Sequence, residues 1–176
     1  MKGRTKMKKF WILLSAITFA IGLTACSAEK EKEAEPVKKE TEEAAKPAAN
    51  PKSAMYKFYM SVVNAINEAD ADLSAYEGEE DPKAQAELKA AASASAAAVA
   101  SNVEGLEIPA ELKDQKADLE AAVKDIAAAY NAKAEELKKD APNMEAADAT
   151  FAQGEEKLGA AFESVGMNKP VLSKEL

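Results

Sequence analysis

Apolar side chains recur every three or four positions between residues 51 and 166, which is the spacing of one face of an α-helix. The pattern falls into four stretches, each opened by a proline or a capping asparagine and closed by a glycine or a proline. It predicts helices at about residues 51–77, 82–104, 109–139 and 144–165. No stretch alternates in the manner of a β-strand.

Four amphipathic segments joined by short connections predict an all-α fold, an antiparallel up-down-up-down four-helix bundle over residues 51–166. Residues 167–176 are expected to form a short tail. The second segment is rich in alanine, and its spacing favours Leu88, Ala91 and Ser95 as the inner face. Such a helix can approach its neighbours closely, although each small side chain contributes little apolar area.

Residues 26–50 have a different composition, mainly lysine, glutamate, alanine and proline, with Val37 as the one large aliphatic side chain. A segment of this kind cannot bury enough apolar surface to offset the entropy that ordering would cost. We therefore predict a disordered tether between the N-terminal segment and the bundle.

Residues 1–25 begin with five basic residues and no acidic one, followed by an apolar run at residues 10–23. As a helix this run would rise only about 21 Å, whereas a bilayer core is roughly 30 Å thick. The segment therefore predicts a secretory signal peptide and not a membrane-spanning helix.

The sequence Leu23-Thr24-Ala25-Cys26 resembles the bacterial lipobox. The resemblance implies that the lipoprotein signal peptidase recognises Leu23, Thr24 and Ala25 and cleaves before Cys26. Cys26 would carry a diacylglyceryl group on its sulfur, with or without a further acyl chain on its amine. This places the protein on the extracytoplasmic side of the cell membrane. The low arginine content and the abundance of lysine and glutamate favour a Gram-positive source. In a Gram-negative source, Ser27 would favour the outer membrane.

From Cys26 onward the chain has 18 basic and 31 acidic residues, a formal net charge of −13. It contains no histidine, arginine or tryptophan there, and Cys26 is the single cysteine. Ser-His-Asp triads and Glu-x-x-His di-iron centres require histidine. Zinc sites require histidine or several cysteines, and thiol catalysis requires a free cysteine. None of these sites is therefore expected. We expect neither an enzyme nor a nucleic-acid-binding protein, since phosphate binding depends on basic side chains. No cofactor is expected apart from the lipid on Cys26.

The acidic segment at residues 70–81 offers one metal-site hypothesis. Its oxygen-bearing side chains occupy some of the ligand positions of an EF-hand loop. Ala75, however, occupies the position at which the tight turn of that loop requires glycine. Because Leu73 and Tyr76 continue the helical stripe, an acidic helix end followed by a capping aspartate is the favoured interpretation. The candidate calcium ligands are Glu77, Glu79, Glu80 and Asp81.

These features predict a lipid-anchored lipoprotein whose bundle is a non-catalytic binding or structural accessory of the cell envelope, with an envelope protein as partner. The alternative is a lipoprotein that binds a small ligand or divalent metal in the bundle interior or at residues 70–81. Partner binding predicts an exposed apolar patch. Ligand binding predicts a cavity with a few convergent polar groups.

Replacement of the lipidated cysteine tests the anchor. Cys26→Ser removes the sulfur that would accept the diacylglyceryl group, so the protein should leave the membrane fraction and appear as precursor or in the medium. Cell fractionation with intact-mass measurement shows this directly. Unchanged membrane retention with normal processing would contradict the anchor prediction.

Overall fold

The computed structural model describes residues 50–176, and every regular element in them is helical. The α-helices are α1 (Pro51–Asn67), α2 (Ala71–Glu77), α3 (Pro82–Glu104), α4 (Lys116–Glu136) and α5 (Glu145–Ser164). Short 3-10 turns lie at Ala110–Leu112 and Leu172–Lys174. The prediction of an all-α fold is confirmed for these residues.

The predicted signal peptide at residues 1–25, the lipobox at 23–26 and the predicted tether at 26–50, except for Asn50, lie outside the described residues. None of the helices within residues 50–176 is both long enough and apolar enough to cross a membrane.

Side-chain caps start the helices where the sequence predicts. The Asn50 side chain accepts hydrogen bonds from the backbone N–H groups of Lys52 and Ser53, at 3.1 and 3.3 Å. Asp81 caps α3 in the same way, and a proline follows each of these two caps. Asn143 accepts from the first N–H of α5 at 2.9 Å. Each cap satisfies backbone donors that have no partner inside the helix.

The predicted single helix over residues 51–77 is wrong, because residues 68–70 interrupt it. In a continuous helix the Leu73 N–H would donate to the Ala69 carbonyl. Here the Ser95 hydroxyl of α3 lies between them. It accepts from the Leu73 N–H at 3.3 Å and donates to the Ala69 carbonyl. A side chain inserted into the helical hydrogen-bond ladder is a known cause of a break.

The helix predicted at 109–139 is shorter in the structure, where α4 begins at Lys116 and ends at Glu136. Pro109 is extended, with φ −55° and ψ 141°, and a 3-10 turn precedes the helix proper at Lys116. This turn places Leu112 in the core, where it is fully buried. The last predicted helix, 144–165, agrees with α5 to within one residue at each end.

Apolar faces of all five helices meet in one core. Tyr59 of α1 meets Phe162 of α5 edge to face, with ring centroids 5.5 Å apart. Leu172 is fully buried, so the C-terminal segment folds back onto the helices. The largest fully buried side chains include Phe58, Met55, Ile66, Leu119, Ile126 and Leu158.

Helices α4 and α5 approach each other closely at Gly154. A Cβ atom built there would lie 2.7 Å from Ile126 Cγ1 and 3.0 Å from the Ala122 carbonyl oxygen. Because one of these neighbours is backbone, the space cannot be made by a side-chain rotation alone. The contact therefore requires glycine.

Gly154→Ala should lower the free energy of unfolding by about 1–3 kcal/mol through overpacking. Alanine has the higher helix propensity by up to about 1 kcal/mol, so the expected sign is opposite to that of an exposed site. Denaturant unfolding followed by far-ultraviolet circular dichroism measures the change.

Gly105→Ala is the matched control, since a Cβ there would lie 3.5 Å from its nearest neighbours, an ordinary contact. Its stability should stay close to that of the unsubstituted protein. A Gly154→Ala protein as stable as Gly105→Ala would show that α4 and α5 are not in tight contact at this point.

Candidate functional site

A cleft of about 380 Å³ opens between α2, α4, α5 and the C-terminal segment. Both polar and apolar side chains converge on it from α2, the later half of α4 and the early part of α5. Its lining is Asp70, Leu73, Ser74, Glu77, Tyr130, Lys133, Asp148, Phe151, Ser173 and Leu176.

Lys133 of α4 is the cationic centre of the cleft. Its Nζ lies 2.7 Å from Glu77 Oε1 of α2 and 3.1 Å from Asp148 Oδ1 of α5. The Lys133 side chain is only 14% exposed. Burial acts to lower the pKa of Lys133, but the hydrogen bonds and charges of Glu77 and Asp148 outweigh it and raise the pKa above its ordinary value. One ammonium group thus joins three helices.

Tyr130 lies one helical turn before Lys133 and is 5% exposed. Its ring meets Phe151 edge to face, with centroids 6.0 Å apart. Burial, followed by the nearby charges of Asp70 and Glu77, raises the pKa of the phenol, which therefore stays protonated. No group within residues 50–176 forms a hydrogen bond with its hydroxyl, which reaches solvent through the cleft.

Asp70 stands at the break before α2 and is half-buried. It occupies the N-cap position of this short helix, yet its side chain makes no capping hydrogen bond. None of the ion pairs within residues 50–176 includes it. Two of the three cleft carboxylates are therefore matched by Lys133, and the carboxylate of Asp70 is unmatched.

The C-terminal segment forms one wall of the cleft. The Ser173 backbone N–H and hydroxyl both donate to Glu155 Oε1, at 2.9 and 3.1 Å. Asn67 donates to the Glu175 carbonyl at 3.3 Å. Together with the buried side chain of Leu172, these contacts fix the wall against α1 and α5.

The four candidate calcium ligands are not brought together. Glu77 pairs with Lys133, Glu79 accepts from the Asp81 N–H at 2.9 Å, and Asp81 caps α3. Glu80 is exposed in the loop. Within residues 50–176 no group of three or more Asp, Glu, His or Cys side chains could hold a metal ion. Of the four, Glu77 alone lines the cleft.

Lys133 and Asp148 were not predicted from the sequence as site residues. One signal was present. Tyr130, Lys133 and Leu137 are spaced three and four positions apart, so the lysine interrupts an apolar face of α4. A charged residue on such a face usually has a partner. The partners themselves come from other helices, which the spacing along α4 does not identify.

Few large apolar side chains of residues 50–176 are exposed for contact with a partner protein. Among the large apolar side chains of residues 50–176, those of Tyr56, Val171 and Leu176 are exposed. A second groove, near the α3–α4 connection, is lined by Leu106, Ile108 and Val123 together with charged side chains.

Comparison of the chain with protein-family models, with curated proteins and with solved structures finds no match.

Replacing the central lysine tests the ion-pair network. Lys133→Met keeps the length of the side chain and removes its charge, so the free energy of unfolding should fall by about 1 kcal/mol, the modest value expected for partners that water can hydrate. A raised pKa means that this contribution is present below the ordinary lysine pKa of 10.5 and is lost as the pH rises through the higher folded-state pKa.

The stability difference between the two proteins should therefore be constant near neutral pH and shrink above pH 10.5. Denaturant unfolding over a pH series measures it. Lys138→Met is the control, because the ion pair of Lys138 with Glu135 is exposed on both sides. Equal losses in the two variants would contradict a special role for Lys133.

Proposed function

We propose that the protein is a lipid-anchored, extracytoplasmic, non-catalytic binding protein of the cell envelope. Its binding site is the cleft between α2, α4, α5 and the C-terminal segment, and its ligand is a small molecule. The single observation that carries this proposal is the convergence of a buried phenol, an ion-pair network and an unmatched carboxylate on one concave site.

The proposed architecture is an antiparallel up-down-up-down four-helix bundle in which α1 and α2 together make the first limb. The contacts between α4 and α5 support it, since Asp125 pairs with Lys157 and Lys133 with Asp148, in opposite order along the two helices. Contacts of α1 with α5 and of α1 and α2 with α3 follow the same rule. They join Lys52 to Gly166, Tyr59 to Phe162, Ala65 to Asn102, Ala69 to Ser95 and Tyr76 to Gln85.

A small ligand is favoured over a protein partner by the shape and chemistry of the surface. Protein interfaces take most of their affinity from exposed aromatic and arginine side chains that enter pockets. The chain has no arginine after Arg4, and Tyr56 is the one exposed aromatic side chain among residues 50–176. A concave cleft with convergent polar groups is typical of a small-molecule site.

The lipobox at residues 23–26 supports the anchor, and the composition of the tether supports a spacer role. Two acyl chains hold a protein at a membrane where one chain gives marginal binding. A lysine- and glutamate-rich tether would hold the domain away from the headgroups while keeping it at the surface. A ligand-binding domain in that position samples solutes outside the membrane.

Native mass spectrometry of the protein extracted gently from its own membrane tests this function. We expect an adduct of a few hundred daltons that disappears on denaturation. Ser74 is exposed on α2 and lines the cleft, so Ser74→Trp should fill the site without disturbing the core and abolish the adduct. Ser101 is exposed on α3 and lines none of the cleft, so Ser101→Trp should retain it.

Other outcomes would overturn the proposal. An adduct of protein size would show that the domain binds an envelope partner. A small adduct that survives Ser74→Trp would place the binding site elsewhere. Absence of any adduct in all three proteins would leave the domain without the ligand that this proposal requires.

A further inference from the structure

We infer that the ligand of the cleft is a small organic cation whose ammonium group contacts both the carboxylate of Asp70 and the hydroxyl of Tyr130. This inference rests on the proposed function and names the chemical class that the site recognises. It depends on polar groups in the cleft that the protein does not satisfy by itself.

Asp70 and Tyr130 are two unsatisfied polar side chains on the same cleft. Tyr130 is 5% exposed, and its hydroxyl has no hydrogen-bond partner within residues 50–176. Asp70 is close enough to act on the charge of the phenol, yet no hydrogen bond joins the two groups. Both groups reach solvent in the cleft, because no buried side-chain nitrogen or oxygen within residues 50–176 lacks a hydrogen-bond partner. An ammonium N–H can donate to both the carboxylate and the phenol oxygen.

The charge of the cleft selects a cation over an anion. Three carboxylates and one lysine line it, and the lysine is already paired with Glu77 and Asp148. An anionic ligand would have to approach the unmatched carboxylate of Asp70 and could reach Lys133 only by displacing one of its partners. The net charge of −13 after residue 25 adds a weaker long-range attraction for cations.

The apolar lining predicts the rest of the ligand. Leu73, Phe151 and Leu176 border the cleft beside Tyr130. Aromatic rings attract organic cations through their electron-rich faces, and the aliphatic side chains accept a hydrocarbon body. A volume of about 380 Å³ is near the lower end for small-molecule sites. We therefore expect one ammonium group on a compact aromatic or aliphatic body.

Three probes of nearly equal shape separate charge from size. Isothermal titration calorimetry of the full lipidated protein in detergent micelles would use phenethylamine as the cation, phenethyl alcohol as the neutral analogue and hydrocinnamate as the anion. We expect phenethylamine to bind at least about tenfold more tightly than the other two, the effect expected of a hydrogen bond to a charged group.

Substitutions locate the contact. Asp70→Asn keeps the shape of the side chain and should weaken phenethylamine binding by about tenfold or more, and Tyr130→Phe should weaken it by about fivefold. Asp72→Asn is the matched control, because Asp72 is an exposed aspartate two positions away that does not line the cleft. It removes the same charge and should leave the affinity unchanged.

The outcomes also separate this inference from the proposed function. Tighter binding of hydrocinnamate or phenethyl alcohol, abolished by Ser74→Trp, would overturn the cation inference and leave the cleft as a binding site. Equal losses in Asp70→Asn and Asp72→Asn would also overturn it, since the attraction would then be general. No binding of phenethylamine at millimolar concentration would do the same, and native mass spectrometry would then decide the proposed function independently.

Discussion

The Ser95 hydroxyl, which occupies the gap between the Ala69 carbonyl and the Leu73 N–H, is the contact on which the cleft depends. It satisfies the two backbone groups that a helix break would otherwise leave without partners in a buried place. The break gives α2 its own start at Ala71 and leaves Asp70 at that start without a capping bond. One short side chain on an alanine-rich helix therefore determines which residues of α2 line the cleft.

The ion pairs of Lys133 act mainly on geometry. Burying an ammonium group costs free energy, and this cost cancels most of the gain from its attraction to Glu77 and Asp148, so the net stabilisation is modest. The arrangement nevertheless links α2 and α5 through α4, since Lys133 contacts both Glu77 and Asp148. Lys133 also pairs with two of the three cleft carboxylates. The charge of the site therefore depends on the third, that of Asp70, which forms no ion pair with the lysine.

Local signals made the caps at Asn50, Asp81 and Asn143 predictable, because a cap and the backbone groups it satisfies lie within a few residues. The break at residues 68–70 was not predictable in this way, since its cause, Ser95, lies 26 residues beyond Ala69. The inner face of α3 was predicted only in part, with Ser95 buried as expected. Ala91 is exposed and Ala92 and Ala96 are buried. With no large side chain to fix the rotation, alanine spacing alone does not define a buried stripe. The residues that line the cleft come from three helices and the C-terminal segment. Spacing along α4 could therefore reveal Lys133 but neither Glu77 nor Asp148, its partners on other helices.

The two sides of the cleft differ in what would have to move to open them. On one side stand α2, α4 and α5, whose backbones are held by helical hydrogen bonds and by the common core. On the other stands a segment of a few residues, held by Leu172 and by the surface hydrogen bonds to Glu155 and from Asn67. Local openings of such segments require far less free energy than separation of packed helices. Under the proposed function, a brief detachment of residues 171–176 would widen the cleft for the ligand without separating the packed helices.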